Sequence, residues 1–294
     1  MPQILAKWAD TMLALLVILV WAVCFVLIKA GLREAPPVFS ATLRALVAAV
    51  PLLLVATILG RLRAPRATWG WLVLLGLGNT TVGLAAMYLS VGRVGAAIPT
   101  VLANTQALLV APFASVFFGE ALTLQKMFGL LMGFGGVVLT VTPGSGSLGN
   151  LEGAVLALLA SAGIAVGSVV VKHIGSRVNF LTATAWQYLL GSLPLLAWAL
   201  VVEETGNITW TPAFLGGLLF LGLVGSAGAS LVWFVLLQRG ELTRLTAYTF
   251  LTPIFGLLLA VLLIGESLGG LGALGVGLTI AGVAWVERPS RGGR

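Results

Sequence analysis

The chain has 294 residues, of which 59 % are hydrophobic and 9 % charged, and its mean hydropathy is +1.10; an ordinary soluble domain is about one-quarter charged. So little polar surface excludes a water-soluble globule, and a single cysteine, Cys24, excludes both a disulfide framework and a cysteine-built metal site. The formal charge of +7 is spread over short connections, which points to membrane topology rather than a nucleic-acid surface.

Apolar runs long enough to cross roughly 30 Å of hydrocarbon recur from end to end. They predict ten spans: 11–30, 37–60, 69–91, 95–118, 126–142, 151–172, 180–202, 213–238, 244–264 and 268–286. The first reads as a span rather than a secretory leader, because it is long and no small-residue cleavage pattern follows. With the N-terminus inside, twelve basic residues, from Lys7 to Arg294, fall at the inner side, and only Lys29, Arg33 and Arg93 outside. Basic residues favour the cytoplasm, so both termini are expected there, in a multi-pass protein of the bacterial inner membrane.

Two phrases nearly repeat: "FFGEALTL" at 117–124 and "LIGESLGG" at 263–270. A shift of 146 superposes Glu120 on Glu266, Arg93 on Arg239, Thr100 on Thr246, and Gly129 and Gly136 on Gly275 and Gly282. Earlier in the chain a shift of 143 matches Lys29 with Lys172 and "PLLLVA" (51–56) with "PLLAWA" (194–199). The repeats are therefore 1–146 and 147–294, five spans each, and an odd number inverts the second copy, as in many secondary transporters. The expected fold is an all-α membrane protein, ten transmembrane helices as two inverted five-helix repeats around a central cavity. Glu120 and Glu266 are expected to shape the turn and cap the helix that follows.

Ten spans in two halves, the first span "LVWAVCFVLIKAG" and the two small-apolar-"GE"-x-"L" hairpins resemble the drug/metabolite transporter superfamily, in its ten-helix EamA-type branch. The likeness covers nearly the whole chain. "FLTPIFGLLLAVLLIGESL" follows the family pattern closely, whereas the first-half copy carries Ala107 where proline is usual. Within that family the chain most resembles bacterial exporters of aromatic amino acids. The resemblance implies a cavity walled by the first, third, fourth, sixth, eighth and ninth helices, with the fifth and tenth peripheral.

Polar groups at mid-depth need partners, so they face the bundle interior or a cavity. Counting from the span ends places Trp21, Asn79, Thr80, Asn104, Gln106, Ser161, Ser226 and Thr252 there. Phe25, Tyr88, Trp233 and Tyr248 lie within reach and could cage a flat ring with their faces and edges. These twelve are the candidate substrate-binding residues. For the lone hydroxyls, bonding to backbone or a neighbouring helix is the competing expectation, and for the aromatic residues it is core packing. Pro99 and Pro253 are expected to break the fourth and ninth helices.

Arg44 is the most deeply placed formal charge, and its counterpart in the second repeat is Gln187. It is expected to snorkel to the outer surface or to stand at the outer mouth, leaving the cavity itself uncharged. Mid-span carboxylates, a Walker-type loop and clustered catalytic side chains are all missing. The reading is a non-enzymatic secondary exporter of small organic solutes, amino acids foremost and aromatic ones in particular. Its partners are the solute and the lipid bilayer, with no cofactor, nucleic acid or obligate protein partner. Millimolar-range affinity is expected of a cavity without fixed charge. The competing readings are a drug or nucleotide-sugar exporter of the same superfamily and, in another class, a lipid scramblase.

Overall fold

A computed structural model describes residues 2–94, 97–141, 151–206, 208–264 and 270–288. Among these, nine helices are long and apolar enough to cross a membrane, and the shorter Leu124–Thr140 makes a tenth apolar rod. In chain order they are α1 (Pro2–Gly31), α2 (Pro37–Ile58), α3 (Trp69–Leu75, Gly76–Val82 and Gly83–Val94 without a break), α4 (Ala97–Ala103 and Gln106–Phe118) and α5 (Leu124–Val141). The second set is α6 (Leu151–Ile174), α7 (Phe180–Val202), α8 (Pro212–Leu219, Phe220–Gly228 and Ala229–Arg239), α9 (Leu242–Ala247, Tyr248–Leu251 and Thr252–Ile264) and α10 (Gly270–Glu287). Boundaries follow local chemistry. Pro37 and Pro212 sit in the first turn of their helices, where a missing N–H costs nothing. Asn179 caps α7 by accepting from Leu181 N at 2.9 Å, and Gly119 ends α4 at φ +64, a conformation that suits glycine.

The fifth helices of the two repeats pack together on a glycine seam. A Cβ on Gly282 would stand 2.4 Å from Gly133 N, and one on Gly136 would stand 2.5 Å from Thr279 N. Backbones this close need glycine at the contact. Gly129 meets Gly282 as Gly136 meets Gly275, so the contact maps onto itself when the repeats exchange, and α10 runs antiparallel to α5. The second helices pair in the same sense. Glu203, just past α7, accepts from Val38 N and Phe39 N at 2.9 and 2.7 Å at the start of α2, while Thr182, near the start of α7, donates to the Arg61 carbonyl past the end of α2.

The third helix of each repeat carries a π-helical stretch at the same place: Gly76–Val82 in α3 and Phe220–Gly228 in α8. Such stretches are rare and gather at functional sites, because the extra residue loosens the backbone ladder and re-aims side chains. Each is fitted to the first helix of the opposite repeat. Asn79 stands over Gly167 of α6, where an added Cβ would come within 2.7 Å of the Asn79 Cβ, and Gly163 faces the Gly78 carbonyl. In the other copy the sizes are reversed, with Gly225 facing Cys24, whose sulfur would lie 2.4 Å from a Cβ added there.

Helix breaks differ from expectation. Pro99 lies in the first turn of Ala97–Ala103, where it disturbs nothing, and α4 instead breaks at Asn104 and Thr105. Pro253 does mark a change: the four residues before Thr252 form a 3-10 turn, since proline cannot donate to the preceding turn. Glu120 also departs from expectation. Rather than capping α5, it reaches the other repeat and accepts from Leu242 N at 2.6 Å and Thr243 N at 3.0 Å, at the start of α9. Glu266 lies outside the described residues.

Candidate functional site

Between the two repeats lies a cavity of about 110 Å³, walled by aromatic and polar side chains. One end of the bundle is tied by contacts across the repeats. Glu120 holds the first amides of α9, and Lys126 on α5, buried, pairs with Glu241 at 2.9 Å. Within the second repeat, Arg244 adds a second cation to Glu241 at 3.0 Å, and Lys172 donates to the carbonyls of Leu237, at 2.9 Å, and of Gly240.

Seven of the twelve candidates line the cavity: Trp21, Phe25, Asn79, Asn104, Gln106, Trp233 and Thr252. Trp21 and Trp233 meet edge to face, with ring centroids 5.1 Å apart, and the Trp21 indole N–H donates to the Gly225 carbonyl in the π-stretch of α8 at 3.2 Å. Asn104 returns its amide N–H to the Thr100 carbonyl one turn earlier, which explains how a polar residue is kept in the break of α4. Gln106 is 5 % exposed and its Oε1 has no hydrogen-bond partner, so an acceptor is left over in the wall.

The other five face elsewhere. Ser161 and Thr105 bond hydroxyl to hydroxyl at 2.7 Å, tying α6 to the break in α4. Thr80 accepts from the Gln187 amide at 3.2 Å, and Ser226 accepts from Arg44 Nε at 2.8 Å. Tyr88 lines a separate pocket near the ends of α1 and α8. Tyr248 is buried beside Thr11 and Glu287, away from the cavity.

The largest departure from the sequence reading is Arg44. It does not snorkel: it is 5 % exposed, turns into the bundle and forms part of the cavity wall. Cys24, Tyr88 and Tyr188 surround the guanidinium, its Nη1 has no hydrogen-bond partner, and no carboxylate pairs with it among the described residues. The cavity is therefore not neutral. Through Arg44 and Tyr188 the second helices α2 and α7 also contribute to the wall, in addition to the six expected, while α5 and α10 contribute no lining residue among those described. Tyr188 is held by Ser230 at 2.8 Å, and neither was among the twelve. One signal was available: position 44 and its repeat equivalent 187 are both polar inside otherwise apolar helices, which argues for a shared inward face.

Antiparallel repeat pairs, broken and π-bulged helices and a small-molecule cavity between the halves define a multi-pass membrane protein built to enclose a solute. The chain belongs to the EamA-like transporter family, whose model matches it twice, over residues 9–142 and 151–288. An uncharacterized transporter of Synechocystis is 33 % identical over 290 residues, covering 91 % of this chain and 86 % of that protein. A protein of Salmonella typhimurium described as a probable amino-acid metabolite efflux pump is 29 % identical, covering 93 % of each. One solved crystal structure aligns with a TM-score of 0.80 over 95 % of this chain and 97 % of its own, at 19 % identity, a likeness of fold.

Proposed function

We propose that this protein is a secondary transporter that exports small organic solutes, amino acids first and aromatic ones preferentially, from the bacterial cytoplasm by alternating access between its two inverted repeats. Both termini face the cytoplasm in this reading, and the bundle end tied by Glu120, Lys126 and Glu241 is the inner one. The solute and the bilayer are its only partners, with no cofactor. The observation that carries it is the cavity between the repeats, with an aromatic face from Trp21 and Trp233 beside unsatisfied polar groups from Gln106 and Arg44. An amino acid offers both kinds of surface: a side chain for the rings and a charged head for the polar wall. The related efflux pump of Salmonella supports the same class of solute.

Arg44 favours a second reading, an organic anion other than an amino acid, and disfavours a cationic drug, since the cavity wall carries no carboxylate among the described residues. The test is counterflow in proteoliposomes with labelled Phe, Trp, Thr and Leu. The intact chain is expected to exchange at least one of them, with Trp21→Ala weakening Phe and Trp more than Thr. Absence of exchange for all four removes the amino-acid reading and leaves the family assignment untouched.

A further inference from the structure

Arg44 poses a physical problem that its hydrogen bond to Ser226 does not solve. A guanidinium presents five N–H donors and stays charged. Here it is withdrawn from water, with the Tyr88 hydroxyl close by, Nη1 buried without a well-formed hydrogen bond, and only a thiol and two phenols around it. A buried charge without a counter-charge is costly, and removing such groups is often neutral or stabilising when they serve structure alone. The second repeat shows that structure alone does not require the charge, because Gln187 makes the equivalent bond to Thr80 with a neutral amide. What the charge adds is on the cavity side, where Arg44 forms part of the wall.

We propose that Arg44 binds the carboxylate of the transported solute, so that the solute class is monocarboxylates, zwitterionic amino acids among them. This rests on the reading of the cavity as the transport site. A carboxylate accepts two parallel N–H bonds from one guanidinium, a geometry that an amide or an amine cannot supply. Ser226 takes Nε at 2.8 Å and Tyr88 lies against the guanidinium, which together hold the group in place at the edge of the cavity. Gln106 also borders the cavity, and its buried Oε1 has no partner, an acceptor of the kind that suits the ammonium group of a zwitterion. The Trp21 and Trp233 rings supply the apolar remainder of the site.

The experiment uses the purified full-length chain and matched acid and amide pairs: L-phenylalanine with L-phenylalaninamide, L-leucine with L-leucinamide, and 3-phenylpropionate with its amide. Binding is read by intrinsic tryptophan fluorescence and by thermal stabilisation in low-salt detergent buffer, and counterflow of labelled L-phenylalanine is run in parallel. The acid of each pair is expected to bind roughly tenfold or more tightly than its amide. Arg44→Gln, which imports the residue of the other repeat, is expected to reduce that ratio to within about twofold. Should Arg44→Gln not purify as a folded species, Arg44→Met, apolar and of similar length, carries the same comparison.

An unchanged acid-to-amide ratio in these variants, or no preference in the intact chain, overturns the proposal. So does stabilisation by added chloride alone, with no further response to the acids. If amino acids exchange while the ratio ignores Arg44, the transport reading survives and this inference falls. If carboxylates bind through Arg44 but no amino acid exchanges, the inference stands and the amino-acid reading falls.

Discussion

The two repeats place the same clamp in two places and build it from different parts. In one, Arg44 of α2 donates to Ser226 in the π-stretch of α8; in the other, Gln187 of α7 donates to Thr80 in the π-stretch of α3. Each clamp joins one half to the other, and each hydroxyl lies in the same register of a bulged helix. One copy is charged and borders the cavity, and the other is neutral and sealed in the packing. The architecture therefore requires a donor at this point but not a charge, and the difference marks which side of the pseudo-symmetric scaffold has been given over to chemistry. Packing around the clamps is also traded. Thr80, with its extra methyl, faces Gly191, whose added Cβ would come 2.4 Å from the Thr80 Cβ, whereas the smaller Ser226 belongs to the copy that carries Ala48 in place of glycine.

The sharpest way to break this comparison is to make the clamps alike in charge. Gln187→Arg would bury a second guanidinium at a site 1 % exposed and away from the cavity, and is expected to cost about 3–5 kcal/mol, read as a large fall in melting temperature in detergent. Arg44→Gln, the converse change, should leave the melting temperature within a few degrees, so a comparable fall for both would erase the distinction. Next in size is Ser226→Ala, which strands Arg44 Nε and is expected to cost about 1.5–3 kcal/mol, against about 1 kcal/mol for Thr80→Ala, where only a neutral bond is lost. Equal losses would mean that the charge is compensated elsewhere.

Gly191→Ala, which imports the residue of the other copy, should cost about 2–3 kcal/mol through overpacking against the Thr80 Cβ and the Gly76 carbonyl, and Thr80→Ser, which keeps that Cβ, should recover little of it. A melting temperature unchanged by Gly191→Ala would show that the helices separate at this contact without cost. The smallest expected effect is Glu120→Gln at the tied end. It weakens the hold on the α9 amides by about 0.5–1 kcal/mol, measured as faster maleimide labelling of a cysteine placed at Thr243 in a Cys24→Ser background. Unchanged labelling would mean that Lys126 and Glu241 tie that end alone.

Much of the architecture was legible because long apolar runs are properties of composition along a line. All ten predicted spans correspond to helices, and α7 falls on 180–202, as read from sequence. The misreadings concern direction around a helix. Arg44 lies two turns into its span, a depth from which a long side chain can reach either a headgroup or the interior, and hydropathy does not distinguish the two. The hydroxyls of Thr80, Ser161 and Ser226 were read as candidates from their depth, yet neighbouring helices take them, which depth cannot reveal. Glu120 was identified as a helix cap, but the helix it caps begins 122 positions further along. The π-stretches left no trace beyond glycine-rich wording, since a one-residue bulge depends on Gly163, Gly167 and Gly191 of distant helices making room for it.

The glycine seam between α5 and α10 has a mechanical consequence. The side chains of Thr140, Thr279 and Val286 reach into the notches left by Gly275, Gly136 and Gly129, and Thr279 donates across to the Gly133 carbonyl, so the two rods are keyed together. Because this seam contributes no lining residue among those described and looks the same from either repeat, the transport cycle proposed above would keep it as a fixed joint while the cavity walls on either side move.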